Sequence, residues 1–245
     1  MSETVSEIHD SSELPPFDNK LVASAAAALD AANIPNILWG HYMLTIFGVP
    51  TVVVVRIDFV VDDDFIDTAN ATLLDSGFKK CISNDCLSSK ELGYAPKPHT
   101  HLHITESLHL CFHKKSNILW RISDLTNVDG ESIILASDPD QLPGLDIIGR
   151  GGRFAQDLHP VRVPTISQLV VSLLLLATRD SETKMCKGPY WMNWVTYVAE
   201  YCTENGDFDI NQLSGNYKIY MQSLIDSDGD VGARRQALKN IGLEK

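Results

Sequence analysis

The chain has 245 residues, 44% of them hydrophobic, and a formal net charge of −12 at pH 7. That is enough apolar material for a sizeable core in one large domain or two small ones. The acidic balance excludes a general nucleic-acid or anionic-membrane binder, which needs basic surface to displace counterions, but it is compatible with a local basic pocket.

In chain order, residues 1–16 are polar and acidic up to Pro15-Pro16 and are expected to form a flexible acidic tail. They lack the basic-then-apolar pattern of a secretory leader, so the expected location is cytoplasmic. Leu21, Ala25, Ala28, Leu29 and Ala32 recur at helical spacing and predict a first helix over 19–32, stopped by Asn33-Ile34-Pro35. The apolar run 34–55 approaches the length of a membrane span. Pro35, Asn36, Gly40, His41, Gly48 and Pro50 interrupt it, which fits a helix, turn and strand in a soluble core, and no membrane association is expected.

Within that run, a short helix opened by Gly40 and closed at Gly48-Val49-Pro50 leads into Thr51–Val61, nearly all β-branched or aromatic. It reads as a central strand buried on both faces. Arg56 and Asp58 interrupt it two residues apart, so both side chains share one face, where they must pair or meet a ligand. Asp62–Asp64 then open a helix with Phe65, Ala69 and Leu73 inward and Gly77 as its C-terminal cap. Residues 101–112 and 117–122 are expected to be two strands, with Lys114-Lys115-Ser116 as the hairpin turn. Between Asp124 and Val163, glycine, proline and aspartate predict long loops.

From Thr165 the pattern is helical. Thr165 with Gln168 is a capping-box signature ahead of Leu169, Val170, Leu173 and Leu174. Helices are predicted over 190–204, with Trp191, Trp194, Val195, Val198 and Cys202 as one stripe, over 210–225, and over 231–240. The expected organisation is therefore a tail (1–16), an α/β domain (17–163) and a helical part (164–245) packed on it.

A glycine opening a short helix, Gly40-His41, followed on the next strand by Arg56-Ile57-Asp58, resembles the nucleotidyltransferase fold, whose pattern is Gly-Gly or Gly-Ser and then Asp-x-Asp. The chain is similar to fungal nucleotidyltransferase-like proteins of degenerate type. The resemblance implies an α/β fold with a mixed sheet flanked by helices and a helical C-terminal part. It also implies transfer chemistry in which paired carboxylates hold Mg²⁺. Arg56 stands where the first carboxylate belongs, a change of two charge units that opposes Mg²⁺. The remaining carboxylates are Asp58 and Glu106, and His41 replaces the small residue.

Arg56 and Asp58 either form an internal pair, or Arg56 binds an anion directly with its planar fork of donors. The expected function is a degenerate member, a pseudoenzyme, that binds a small anionic or nucleotide-like ligand. Gly40, Arg56, Arg150 and Arg153 would line that ligand, with Asp58 and His41 at the catalytic positions. The alternatives are an active Mg²⁺-dependent enzyme, acid–base chemistry by His41 and Asp58, and an interaction module with a vestigial pocket.

Other constellations compete for attention. His99, His101 and His103 alternate, so in a strand they face one way. Gly93, His99, His101 and Glu106 match half of a cupin metal motif, but His113 occupies its glycine position and no second motif follows. Cys81-x4-Cys86-x12-His99-x3-His103 has zinc-ligand spacing. Pro96 and Pro98 exclude a finger helix, which leaves a loop-held zinc as the alternative to free thiols among Cys81, Cys86, Cys111, Cys186 and Cys202. Gly149-Arg150-Gly151-Gly152-Arg153 is either a phosphate cradle or a mobile or structurally constrained loop. Asp226, Asp228 and Asp230 have Val231 and Ala237 where a calcium loop needs glycine and glutamate, so they read as a turn and helix cap.

Overall fold

Asp18 sets the first helix. Its carboxylate accepts from the backbone N–H groups of Lys20 and Leu21, which have no partner inside a helix. The computed structural model describes residues 18–50, 56–82, 86, 88, 96–144, 151–181, 187–203, 206, 208–226 and 228–244. The expected tail, Arg150, Cys186 and the first half of the Thr51–Val61 strand lie outside them. Helix α1 spans Asn19–Ala31, buries Leu21, Val22, Ala25, Ala26 and Leu29, and ends where Asn33 turns left-handed at φ 57°. Strand β1 (Asn36–Trp39) runs directly into α2 (Gly40–Ile46). Strand β2 covers Arg56–Val61, and a single 3₁₀ turn at Asp63–Phe65 feeds α3 (Ile66–Asp75). Gly77 follows at φ 97°, the conformation expected of a capping glycine.

Strands β3 (Lys79–Lys80), β4 (Thr100–His103) and β5 (His109–Lys114) complete a five-stranded sheet in the order β1-β2-β5-β4-β3. Among the described residues only β2 and β5 pair in parallel, so the sheet is mixed and the chain crosses over through α3. This corrects the expected hairpin, because β4 and β5 turn at 104–108 and 115–118 form the short helix α4 (Lys115–Ile118). The cause is twofold. Both edges of β5 are taken by β2 and β4, which leaves 117–122 nothing to pair with. Ser116 also donates from its backbone N–H and its hydroxyl to Asp63, 3.0 and 2.6 Å away, folding the chain back on the start of α3.

The sheet has two unlike faces. Leu38, Ile57, Phe59, Val61, Leu102, Leu110 and Phe112 share one face and are fully buried. By register, Trp39, Arg56, Asp58, His101, His103, His109, Cys111 and His113 share the other. The β2 strand is thus buried as expected, but only one of its faces is apolar.

Inside the predicted loop region, β6 (Ile133–Leu135) and β7 (Arg162–Pro164) form a two-stranded ribbon. Asp30 anchors the ribbon to α1, accepting from Arg162, His159 and Asn36 at 2.8 Å each. Helix α5 (Ile166–Ser181) starts on half a capping box. Thr165 Oγ1 accepts from the Gln168 N–H, while the Gln168 amide reaches forward to Ser172. Helix α6 (Gly188–Tyr197) runs on as a π turn to Cys202 and is tied to α5 by the Trp191 indole, which donates to Asp180 Oδ2 at 2.7 Å. A 3₁₀ turn at Ile210–Gln212 precedes α7 (Gly215–Ile225), so the predicted helix over 210–225 is split. Asp230 then caps α8 (Val231–Gly242), the role read for the acidic turn. No helix among the described residues is long and apolar enough to cross a membrane.

Candidate functional site

Gly40 is the hinge between β1 and α2. Its φ of 85° disfavours any residue with a Cβ, and a Cβ built there would sit 2.5 Å from Asp58 Oδ2. The register explains the crowding, since Trp39, one residue earlier, pairs with Asp58 across β1 and β2. A glycine at this place is therefore what lets the start of the helix lie against the carboxylate.

Asp58 is 1% exposed, and both its oxygens are engaged. Oδ2 accepts from Arg56 Nε at 3.1 Å, and Oδ1 accepts from His113 Nε2 at 2.7 Å. Burial pushes the carboxyl pKa up, but the Arg56 charge and the His113 hydrogen bond outweigh it and hold it below the usual range. Asp58 in turn raises the pKa of Arg56, which stays cationic. Cys111, directly across β5 from Asp58, has its thiol pKa driven up by burial and by that carboxylate, so it stays protonated.

Two rings close the other side. His41 meets Trp194 edge-on at 5.0 Å and Tyr190 at 6.2 Å, and burial lowers its pKa, leaving a neutral imidazole at pH 7. Burial raises the Tyr190 pKa, and the Arg56 charge opposes that rise. Helix α6 thus supplies an aromatic wall beside the guanidinium.

Gly40, His41, Arg56 and Asp58 are brought together as the sequence implied. Arg153 is not a partner of this pair. Its guanidinium donates to the Leu142 carbonyl at 3.2 Å and its N–H to Pro143. Gly151 abuts the Thr45 backbone and Gly152 the Gly144 carbonyl, so residues 151–153 are a sterically constrained loop. Glu106 is exposed in the β4–β5 turn rather than beside Asp58. Mg²⁺ does not fit these residues, because the Arg56 guanidinium lies against Asp58 and both oxygens of that carboxylate already accept from N–H donors.

His113 and Tyr190 were missed by the sequence reading. The alternation His109-x-Cys111-x-His113 on a strand beside β2 was a usable signal for the first, whereas nothing local marks Tyr190, 134 residues beyond Arg56.

Farther along the same face, a second group gathers ligands that could hold a metal ion. Sγ of Cys81 and Cys86 and ring nitrogens of His101 and His103 all lie within 4.8 Å of one another. This revises the spacing-based set, since His99 is exposed ahead of β4 and is not among the four.

No protein-family model matches the chain, and no curated protein matches it. Among solved structures, it is similar to the solution structure of the antibiotic-resistance factor ANT(2'')-Ia. The identity is 13% and the TM-score 0.37, over 91% of this chain and 96% of that one.

Proposed function

We propose that this chain is a degenerate nucleotidyltransferase-like protein in which an internal ion pair stands in place of the catalytic metal, and that it binds a small anionic or nucleotide-like ligand at the Arg56 edge. The observation that carries the reading is the saturation of Asp58 by Arg56 and His113. A carboxylate so engaged has its charge compensated by an adjacent guanidinium, which disfavours a hard cation, and its depressed pKa makes it a poor base.

Arg56 has capacity left. Of its five N–H donors, one serves Asp58, and the side chain keeps 16% exposure. The outer edge of the fork suits two phosphate or carboxylate oxygens. The partly exposed rings of His41 and Tyr190, backed by buried Trp194, offer edges beside it for a planar base. Because Asp58 compensates Arg56 and His41 is neutral, the site favours a mono- or dianionic ligand over a bare triphosphate.

Titration calorimetry with inorganic phosphate, AMP, ADP and ATP, with and without Mg²⁺, tests this. Binding without Mg²⁺ that is lost in Arg56→Ala and weakened in Arg56→Lys, which keeps the charge but not the fork, is the expected result. Mg²⁺-dependent nucleotidyl transfer removed by Asp58→Ala would overturn the proposal in favour of an active enzyme. No binding by any probe would overturn it in favour of an interaction module.

A further inference from the structure

We infer that Cys81, Cys86, His101 and His103 form a structural zinc site, independent of the Arg56–Asp58 reading. The two cysteines come from the segment after β3, and the two histidines alternate on β4, so both ring systems leave the sheet on its polar face. The four ligand atoms already lie within 4.8 Å of one another, and Cys86 Sγ is 3.3 Å from His101 Nε2. In a tetrahedral zinc site with ordinary bond lengths the sulfur–nitrogen edge is about 3.5 Å and the sulfur–sulfur edge about 3.8 Å. Closing the widest separation, up to 4.8 Å, to those edges takes about 1 Å, shared between two side chains.

An independent observation points to a ligand. His103 Nε2 is buried with no hydrogen-bond partner among the described residues, an arrangement that is costly for a polar atom. Its other nitrogen, Nδ1, faces the Thr105 carbonyl at 3.3 Å. A carbonyl can only accept, so Nδ1 carries the proton and Nε2 presents a bare lone pair to the cluster. This is the outer-shell arrangement that fixes the tautomer of a metal-ligating histidine.

The surroundings complete the site. His109 holds Ser88 through Nδ1 at 2.9 Å and places Nε2 3.5 Å from Cys86 Sγ, where an N–H steadies a thiolate. A cleft of about 410 Å³, lined by Cys81, His101, Lys80 and Lys97 among others, opens onto the cluster and gives an entry path. Two thiolates with two imidazoles select zinc over magnesium or calcium, and four protein ligands leave no open position for catalysis. Zinc here would pin β3 and the following segment to β4.

The test uses the full chain, expressed and purified under reducing conditions without chelator. Elemental analysis is expected to find about one zinc per chain. Exchange for Co²⁺ should give intense visible bands of tetrahedral cobalt with thiolate-to-metal charge transfer, and a strong chelator should lower the thermal midpoint of the unmodified protein. His101→Gln and Cys86→Ser should each lose the metal, whereas His99→Gln should keep it. The inference is overturned by metal-free protein that takes up no Co²⁺, by a weak octahedral cobalt spectrum, or by loss of metal in His99→Gln with retention in His101→Gln. The chelator and cobalt arms need no substitution, so a variant that fails to fold does not shield the idea.

Discussion

Replacing Arg56 by methionine keeps most of the stem and removes the charge, which isolates the ion pair at the centre of the site. With Nε 3.1 Å from Oδ2, and the charge centres ~4 Å apart, the attraction is about 4 kcal/mol at an effective dielectric of about 20. Breaking a buried pair by removing one partner costs about 3–5 kcal/mol, because the other charge stays desolvated. His113 still serves Oδ1, so the low end, about 3 kcal/mol, is expected, or a fall of about 6–12 °C in thermal midpoint for a chain of this size. The pH dependence is the sharper signature. Without Arg56, burial dominates the Asp58 pKa and raises it, so the carboxyl protonates on mild acidification and the deficit relative to the parent shrinks from pH 7 toward pH 5. Urea unfolding of both proteins across that range measures it. A loss below about 1 kcal/mol at pH 7, or a deficit independent of pH, would refute the buried-pair account.

Three further outcomes follow from the same structure. Gly40→Ala meets both a positive φ and a 2.5 Å approach to Asp58 Oδ2, and should cost about 2–4 kcal/mol in chemical denaturation; a neutral result would mean that α2 does not lean on the carboxylate. Trp191→Phe removes the indole donor from buried Asp180 and should cost about 1.5–3 kcal/mol by the same assay, with no effect if α5 and α6 are held by apolar contact alone. Stability should decline with acid: Asp30 and Asp58 have folded pKa values below the ordinary 3.8, so their contribution is complete above that value and is lost as pH falls through the folded ones. His41, whose folded pKa lies below 6.5, adds a decline that begins near 6.5, because the unfolded chain takes up a proton the folded one refuses. Substituting His41 by glutamine should flatten that part of the profile.

The sequence revealed most where a short-range rule applied. Period-two geometry placed Arg56 and Asp58 on one face, and capping chemistry located Asn33, Gly77 and Asp230. It revealed least where long-range pairing decided the outcome. Strand β1 is only four residues long and lies inside an apolar run, so it read as a lead-in to α2. The turn at Ser116 depends on Asp63, 53 residues earlier, which no local window contains. The zinc-type set was nearly legible, but finger spacing presumes a helix and selects His99 with His103, whereas strand alternation selects His101 with His103. His113 reaches Asp58 across 55 residues, and its only advance mark was alternation with Cys111 on a strand whose neighbours were unknown.

Three of the chain's four tryptophans occupy one junction. Trp39 at the end of β1 lies 6.4 Å from Trp191 and 5.9 Å from Trp194, both on α6. The fourth, Trp120, sits apart under the Arg179 guanidinium. Intrinsic emission is thus dominated by a place where the sheet meets the C-terminal helices, next to His41 and one residue from Gly40. Undocking α6 would hydrate these indoles while leaving the hydrogen bonds of the sheet intact. A red shift that precedes loss of far-ultraviolet ellipticity would therefore report separation of the two parts rather than their unfolding, which gives the protein a built-in optical gauge of whether its site is assembled.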